Sequence, residues 1–224
     1  MRNCTRVALV VMSCLPLAFA QNSEREMTCD DHWQNDRVSH CEINEMTIPA
    51  TPRLSVDGGV NGGMTVKGWQ KNEILVRAKV QTDADSDAQA KALAKQIIIH
   101  TGGGRIMADG PSMGHHENWS VSYEVFVPKS IDLDLRAHNG GIHIADVRGR
   151  IEFETTNGGV SLTVPSSYSA HLETGTVNGH VDVEFPVTVR GEISRQLSFD
   201  LGSGGPLVRA VTTNGGVSIK RKET

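Results

Sequence analysis

The chain has 224 residues, 21% of them charged, with a formal net charge of −4. That charge leaves no broad basic surface for nucleic acid, and the composition lacks the Ala/Glu/Lys/Leu/Arg excess of a coiled coil. Twenty-three glycines stand against only five Phe, three Trp and two Tyr, which with frequent Val/Ile and turn residues predicts β structure around a thin core.

Arg2 and Arg6 precede an apolar run from Val7 to Phe19 that is broken only by Ser13 and Pro16. Ala18-Phe19-Ala20 then supplies a small-x-small cleavage site before Gln21, so residues 1–20 read as a secretory signal. A lipid-modified Cys14 is the alternative, although Leu15-Pro16-Leu17 still follows it. The run is too short to cross a bilayer, and no later segment is long and apolar enough, so no transmembrane segment is expected after signal removal. Cleavage leaves 204 of the 224 residues and, with two arginines gone, takes the net charge from −4 to −6. The expected location is periplasmic, outer-surface or secreted.

Cys4 and Cys14 leave with the signal, and Cys29 and Cys41 remain. An isolated pair in an exported chain reads as one disulfide, Cys29–Cys41, clipping a segment over residues 21–53. A zinc site of Cys29, His32, His40 and Cys41 is the rival, with ligand types that suit the metal at an unusual spacing.

Next come predicted strands at Leu54–Val56, Met64–Trp69 and Glu73–Val80. The one helix is predicted near residues 85–96, where DSDAQAKALA offers an Asp or Ser N-cap before an Ala-rich stretch. Strands follow at Ile97–Ile99, Arg105–Met107 and Trp119–Val127, the last closed by Pro128. Asn118-Trp119-Ser120 is a glycosylation sequon placed at a strand start in a bacterial-looking chain, and it is discounted.

From Leu133 the chain repeats. LDLRAHNGGIHI, IEFETTNGGVSL, LETGTVNGHVDV and VRAVTTNGGVSI align on Asn139, Asn157, Asn178 and Asn214, with a further Asn-Gly-Gly at Asn61. Six residues before the Asn stand Leu133, Ile151, Leu172 and Val208; after the glycines stand Ile142, Val160, Val181 and Val217. Apolar residues thus alternate with period two on both sides of a fixed turn. The Asn spacings are 18, 21 and 36, and a degenerate turn near Gly202-Ser203-Gly204-Gly205 would fill the doubled last gap. Near-constant spacing predicts an all-β, right-handed, single-stranded β-solenoid over residues 54–222, its asparagines stacked as a corner ladder at positive-φ turns. An antiparallel meander of Asn-Gly hairpins is the alternative.

LSVDGGVNGGMTVKGWQKNEILVRAKV, SVSYEVFVP and the LRAHNGG, ETTNGG, TGTVNGH and VTTNGG repeats resemble the bacterial "putative adhesin" family of exported Asn-Gly-repeat proteins, from about Leu54 to Lys220. The resemblance implies export and a β-solenoid, and its adhesin label names no ligand. His180 in place of a second glycine, and the doubled gap, depart from the repeat.

Asp134, Glu152 and Glu173 share the outward position five before the Asn, with Arg209 in the last copy. Stacked coils would align these carboxylates, compensated by Arg136, Arg148 and Arg150, with Ca²⁺ as the sharper alternative. His115-His116-Glu117 forms a loop cluster, while His143 shares a column with Ser161, Asp182 and Ser218 in no triad order. Asp132, Asp134, Glu152 and Glu154 with Arg136 are the candidates if a β-helix polysaccharide lyase or glycosidase is the function, although aromatics to stack on sugars are few. No catalytic residue, cofactor or firm metal site is assigned. The expectation is a non-enzymatic adhesin-like or envelope structural protein, its partner a cell-envelope protein or glycan and its oligomeric state open. The basic tail Lys220-Arg221-Lys222 follows the last strand.

Overall fold

The computed structural model describes residues 27–29, 37–114, 116–186 and 196–222. The predicted signal, His32 and His115 lie outside the described residues.

In chain order the elements are β1 (Val38–Pro49), β2 (Arg53–Asp57), β3 (Met64–Trp69), β4 (Glu73–Ala84), α1 (Asp87–Ala94), β5 (Ile98–His100), β6 (Arg105–Asp109) and β7 (Asn118–Pro128). The repeat region supplies β8 (Asp132–Asn139), β9 (Ile142–Ala145), β10 (Ile151–Asn157), β11 (Val160–Val164), β12 (Ala170–Asn178) and β13 (Val181–Val183). It ends with β14 (Gln196–Leu201), β15 (Leu207–Asn214) and β16 (Val217–Arg221).

These strands form two mixed eight-stranded sheets, ordered β1-β4-β7-β3-β9-β11-β16-β13 and β14-β12-β15-β10-β8-β2-β6-β5. Each Asn-Gly turn carries the chain from the second sheet to the first, so its flanking strands never pair with each other. This excludes the meander. The strands pair instead with their counterparts in neighbouring repeats, in parallel. Leu54, Leu133, Ile151, Val208 and Leu172 stand in one register, and Met64, Ile142, Val160, Val217 and Val181 in another. Both inner faces contribute to one hydrophobic cluster, in which Leu135, Phe153, Leu162 and Ile219 are fully or almost fully buried.

The architecture is therefore a pair of mixed sheets rather than the expected single-stranded β-solenoid. Antiparallel strands β1, β4 and β7 extend one sheet, and β5 and β14 edge the other. Spatial order also departs from chain order, because β15 and β16 insert between the β10/β11 and β12/β13 repeats. Among its described residues the doubled gap shows no degenerate coil. Its visible part is β14, antiparallel to the outer edge of β12, and Gly202 and Gly204 at φ +59° and +75° turn the chain back to β15.

The corner asparagines do not take the expected positive φ, and of the glycines that follow them Gly215 alone does, at 158°. Among the described residues the one non-glycine with positive φ is Asp146, at 59°, away from the corners. What the first glycine supplies is room: a Cβ on Gly158 would lie 2.4 Å from the carbonyl oxygen of Gly140 in the neighbouring repeat. Beneath it, the Thr155 hydroxyl donates to that same Gly140 oxygen at 2.8 Å, and Thr212 and Thr176 repeat the bond to Gly158 and Gly215. On the solvent side the side-chain amides bond in series. Asn139 donates to Asn61 at 3.0 Å, Asn157 to Asn139, Asn214 to Asn157 and Asn178 to Asn214, the last three at 2.7 Å. His180 sits in the terminal repeat of this stack, where no further repeat lies beyond its corner.

Asn157 donates to one neighbour and accepts from another, whereas Asn178 makes one of these bonds. Asn157→Ala should cost about 1–2 kcal/mol and Asn178→Ala roughly half that, since each net hydrogen bond contributes ~0.5–1.5 kcal/mol. Thermal unfolding of the two variants checks this, and equal losses would refute a load shared along the ladder.

Two further elements close the body. Strand β1, which falls inside the segment expected to be a mere disulfide-clipped preface, pairs with β4 over its whole length from Val38↔Ala84 to Pro49↔Glu73. Helix α1 is capped by Ser86, whose side chain accepts from the Gln89 amide, and it buries Ala90, Leu93 and Ala94. Thr82 of β4 donates to the Ala90 carbonyl at 2.9 Å. Eight residues are too few for an isolated helix, so its stability comes from this packing.

The chain's two tyrosines are both buried. Burial, helped by the charges of Asp57 and Asp109, raises the Tyr123 phenol well above its ordinary value, and burial pushes Tyr168 up to about 12 against the opposing charge of Arg148. Folding favours the neutral phenols, so this contribution is complete below pH ~10, where unfolded tyrosine ionises, and is lost as pH rises through the folded values. Alkaline titration should therefore show no phenolate absorbance near pH 10, and a tyrosine ionising there would contradict the burial.

Candidate functional site

The outward residues of β3, β4 and β7 build an aromatic cluster framed by paired charges. Strand alternation sends Lys67 and Trp69 of β3, Leu75 and Arg77 of β4, and Glu124 and Phe126 of β7 to the same side. The register then sets Leu75 beside Phe126 and Phe126 beside Lys67, with Arg77, Glu124 and Thr65 in the next row.

Trp69 and Phe126 pack with ring centroids 5.5 Å apart at 32°. The indole N–H donates to the Glu73 carbonyl at 2.9 Å, which fixes the ring plane. Lys71 places its ammonium 4.7 Å from the centre of the Trp69 ring, and Lys67 and Arg77 lie 5.7 Å and 5.6 Å from that of Phe126. Such cation–π contacts contribute about 0.5–1 kcal/mol each at exposed sites.

Acids balance these cations. The Glu124 side chain, 6% exposed, accepts from Lys67 and from Arg77 at 3.2 Å each. Arg77 also donates to Glu45 at 2.8 Å, and the bonds to Glu45 first and Glu124 second raise its pKa further. Lys71 pairs with Glu73 at 3.4 Å. Three cations and three carboxylates make the cluster neutral in a chain whose net charge is negative. Sequence reading found these strands but not this face, because only the order β4-β7-β3 brings Trp69, Leu75 and Phe126 together.

The residues singled out from sequence are placed elsewhere. Asp134, Glu152 and Glu173 share a column on the second sheet, but Arg209 lies between Glu152 and Glu173. Asp134 is held by Arg53 at 3.1 Å and Arg136 at 3.3 Å, and Glu152 by Arg150 at 2.8 Å. Asp132 accepts from the Arg150 amide, and Glu154 meets Arg209 at 4.0 Å. Among the described residues no group of three or more His, Cys, Asp or Glu is arranged to hold a metal ion.

Cys29 and Cys41 form the disulfide, with Cα atoms 5.7 Å apart, which excludes both from the zinc alternative. His143 bonds Ser161 at 2.8 Å and His138 bonds Thr156 at 3.1 Å, each between neighbouring repeats. The column of His143 runs Ser161, Ser218, Asp182. His116 meets Asp85 at 3.1 Å, and Lys222 of the tail pairs with Asp146.

One cluster went unread in the sequence. His171 of β12 contacts Asp200 through Nδ1 at 2.8 Å and Ser198 through Nε2 at 3.2 Å, both on β14. The connectivity is that of a Ser–His–acid relay. Its setting is a cross-strand surface ladder, with the His171 and Asp200 side chains 41% and 62% exposed, where a relay acid is buried to orient its histidine. Alternation in QLSFDL placed Ser198 and Asp200 on one face; their partner emerges only from β12–β14 pairing.

No family model and no curated protein matches the chain in sequence. Among solved structures it is similar to a "putative cell adhesion protein" from Clostridium sporogenes, with TM-score 0.42 and 11% identity over 81% of this chain and 100% of that one. It is also similar to a "putative adhesin" from Parabacteroides distasonis (TM-score 0.31, 9% identity, 80% of this chain and 70% of that one). A "putative lipid binding protein" from the same organism gives TM-score 0.25 at 9% identity, over 80% of this chain and 96% of that one. Similarities this distant fix neither a family nor a role for this chain.

Proposed function

We propose that the chain is an exported, non-enzymatic, adhesin-like or envelope interaction protein that presents a rigid recognition face to a cell-envelope protein or glycan. The observation that carries this reading is the neutral aromatic face around Trp69 and Phe126, mounted on paired strands and fixed by the Trp69–Glu73 bond. An aromatic pair held partly buried on the outer side of a sheet that buries a full core on its other side has the character of an interface anchor. The disulfide accords with an oxidising compartment, and the signal expected at residues 1–20 with export to it.

Within this reading the Asn139, Asn157, Asn178 and Asn214 ladder is structural, and the acids of the second sheet serve as an arginine-compensated surface. The oxidised mature protein, offered to glycan arrays and detergent-solubilised envelope fractions with and without Ca²⁺, should show saturable capture that is independent of the ion. Capture of nothing would overturn the proposal. Release of saccharide fragments would replace it with the lyase or glycosidase alternative, and Ca²⁺ dependence would restore a site at Asp134, Glu152 and Glu173.

A further inference from the structure

The chemistry of the aromatic face narrows the ligand. A flat aromatic plane attracts apolar C–H groups, and a ring of fixed donors and acceptors around it attracts hydroxyls. A pyranose offers both, with an apolar C–H face and an equatorial belt of hydroxyls. Resting on the interaction-protein reading above, we infer that Trp69, braced by Phe126, forms a stacking subsite for an uncharged saccharide, with Lys71, Arg77, Glu45 and Glu73 as hydroxyl partners at its rim.

Three observations of geometry support this assignment. The Trp69 indole is held by its own N–H bond to Glu73, so its plane is set before any ligand arrives and little entropy is lost on binding. Phe126 packs against it with ring centroids 5.5 Å apart at 32° and, itself covered by Lys67 and Arg77, braces the indole in place. Lys71, whose side chain is 65% exposed, covers the indole from a surface position, and a sugar ring displaces it at the loss of one exposed cation–π contact. The displaced ammonium remains within reach of hydroxyls.

The charge balance selects against ionic ligands. Each cation in the cluster already has a carboxylate partner: Glu124 for Lys67, Glu124 and Glu45 for Arg77, and Glu73 for Lys71. A uronate or sulfate would have to break one of these pairs, leaving a carboxylate facing the anion. A neutral hydroxyl belt can accept from Lys71 or Arg77 and donate to Glu45 or Glu73 without separating charge. The acidic column of the second sheet carries no aromatic, running Ser55, Asp134, Glu152, Arg209, Glu173 and Ser198.

The test uses the oxidised mature protein with defined probes: soluble cello-, manno- and fully N-acetylated chito-oligosaccharides as neutral ligands and oligogalacturonate as the anionic one. Binding is read by calorimetry and tryptophan fluorescence. At least one neutral series should bind and perturb the fluorescence. Trp69→Ala should weaken that binding tenfold or more, Phe126→Ala several-fold, and neither should change the affinity for any protein partner captured at another surface. Circular dichroism and melting temperature of the variants separate lost stacking from lost fold, and Trp69→Phe, which keeps a ring, should retain partial affinity. Binding of oligogalacturonate alone, binding unchanged in Trp69→Ala, or no binding of any neutral series would each overturn the assignment. If the envelope screen still captures a partner while these probes fail, the interaction reading survives and only the saccharide subsite falls.

Discussion

Replacing Gly158 by alanine should destabilise the protein far more than the same change one residue later. The new Cβ of Gly158→Ala would sit 2.4 Å from the Gly140 carbonyl oxygen and 2.6 Å from its carbon, which are backbone atoms that no rotamer change can move aside. That oxygen also accepts the Thr155 hydroxyl, so displacing it breaks the interior bond of the corner as well. At Gly159 the nearest atom to a new Cβ is the Gly216 oxygen at 3.6 Å, an ordinary contact.

Overpacking costs typically ~1–3 kcal/mol, and a clash between two backbones belongs at the upper end. Gly159→Ala belongs with neutral surface changes, within about 0.5 kcal/mol. For a chain of this size each kcal/mol moves the melting temperature by roughly 2–4 °C. Two melts on otherwise identical proteins decide the matter. Similar losses in both variants would mean that the glycines serve turn conformation rather than close approach, contrary to the backbone at Gly158, which is not left-handed.

The second large effect is expected at Glu124. Its carboxylate, 6% exposed, is the shared partner of Lys67 and Arg77, themselves 17% and 28% exposed. Glu124→Ala removes the nearly buried carboxylate that Lys67 and Arg77 share, and breaking a buried pair in this way costs about 3–5 kcal/mol. Arg77 keeps Glu45, which places the loss at the lower end. Glu73→Ala removes the partner of Lys71, and with those side chains 41% and 65% exposed the pair contributes no more than ~1 kcal/mol. Denaturant unfolding of the two variants should differ by more than the error of the method. A mild Glu124→Ala would show that water reaches the cluster and that its charges need no internal partner.

The His171, Ser198 and Asp200 contacts illustrate why hydrogen-bond connectivity alone assigns no chemistry. Strand pairing brings any polar residues of adjacent outward columns to within bonding distance, as it also does for His143 with Ser161 and His138 with Thr156. What separates the Trp69 face from these ladders is composition. Most of the surface columns are Ser, Thr, Asp, Glu and Arg, whereas this one spends two of the chain's ten aromatics on an outward position.

Local sequence determined a good deal here. Period-two alternation on either side of Asn-Gly settled which residues face the core, because a strand's side chains alternate regardless of what it pairs with. Met64–Trp69 was legible to the residue, and DSDAQAKALA marked its own helix through Ser86 and the alanines that follow. Strand β1 was not legible, since VSHCEINEMTIP is an edge strand with mostly exposed side chains and little alternation of burial to betray it.

Partner choice belonged to the tertiary structure. A repeat carries the same inward and outward pattern whichever copy it lies against, so spacing could not reveal that β15 and β16 insert ahead of β12 and β13. Nor could it show that antiparallel strands would extend the stack into two mixed sheets, or that Trp69 and Phe126, far apart in the chain, would share one face. Alternation is a property of the single strand and is written in its residues. Strand order and the surfaces it creates are set by long-range packing of the whole core, where many near-equivalent pairings compete and only their sum decides.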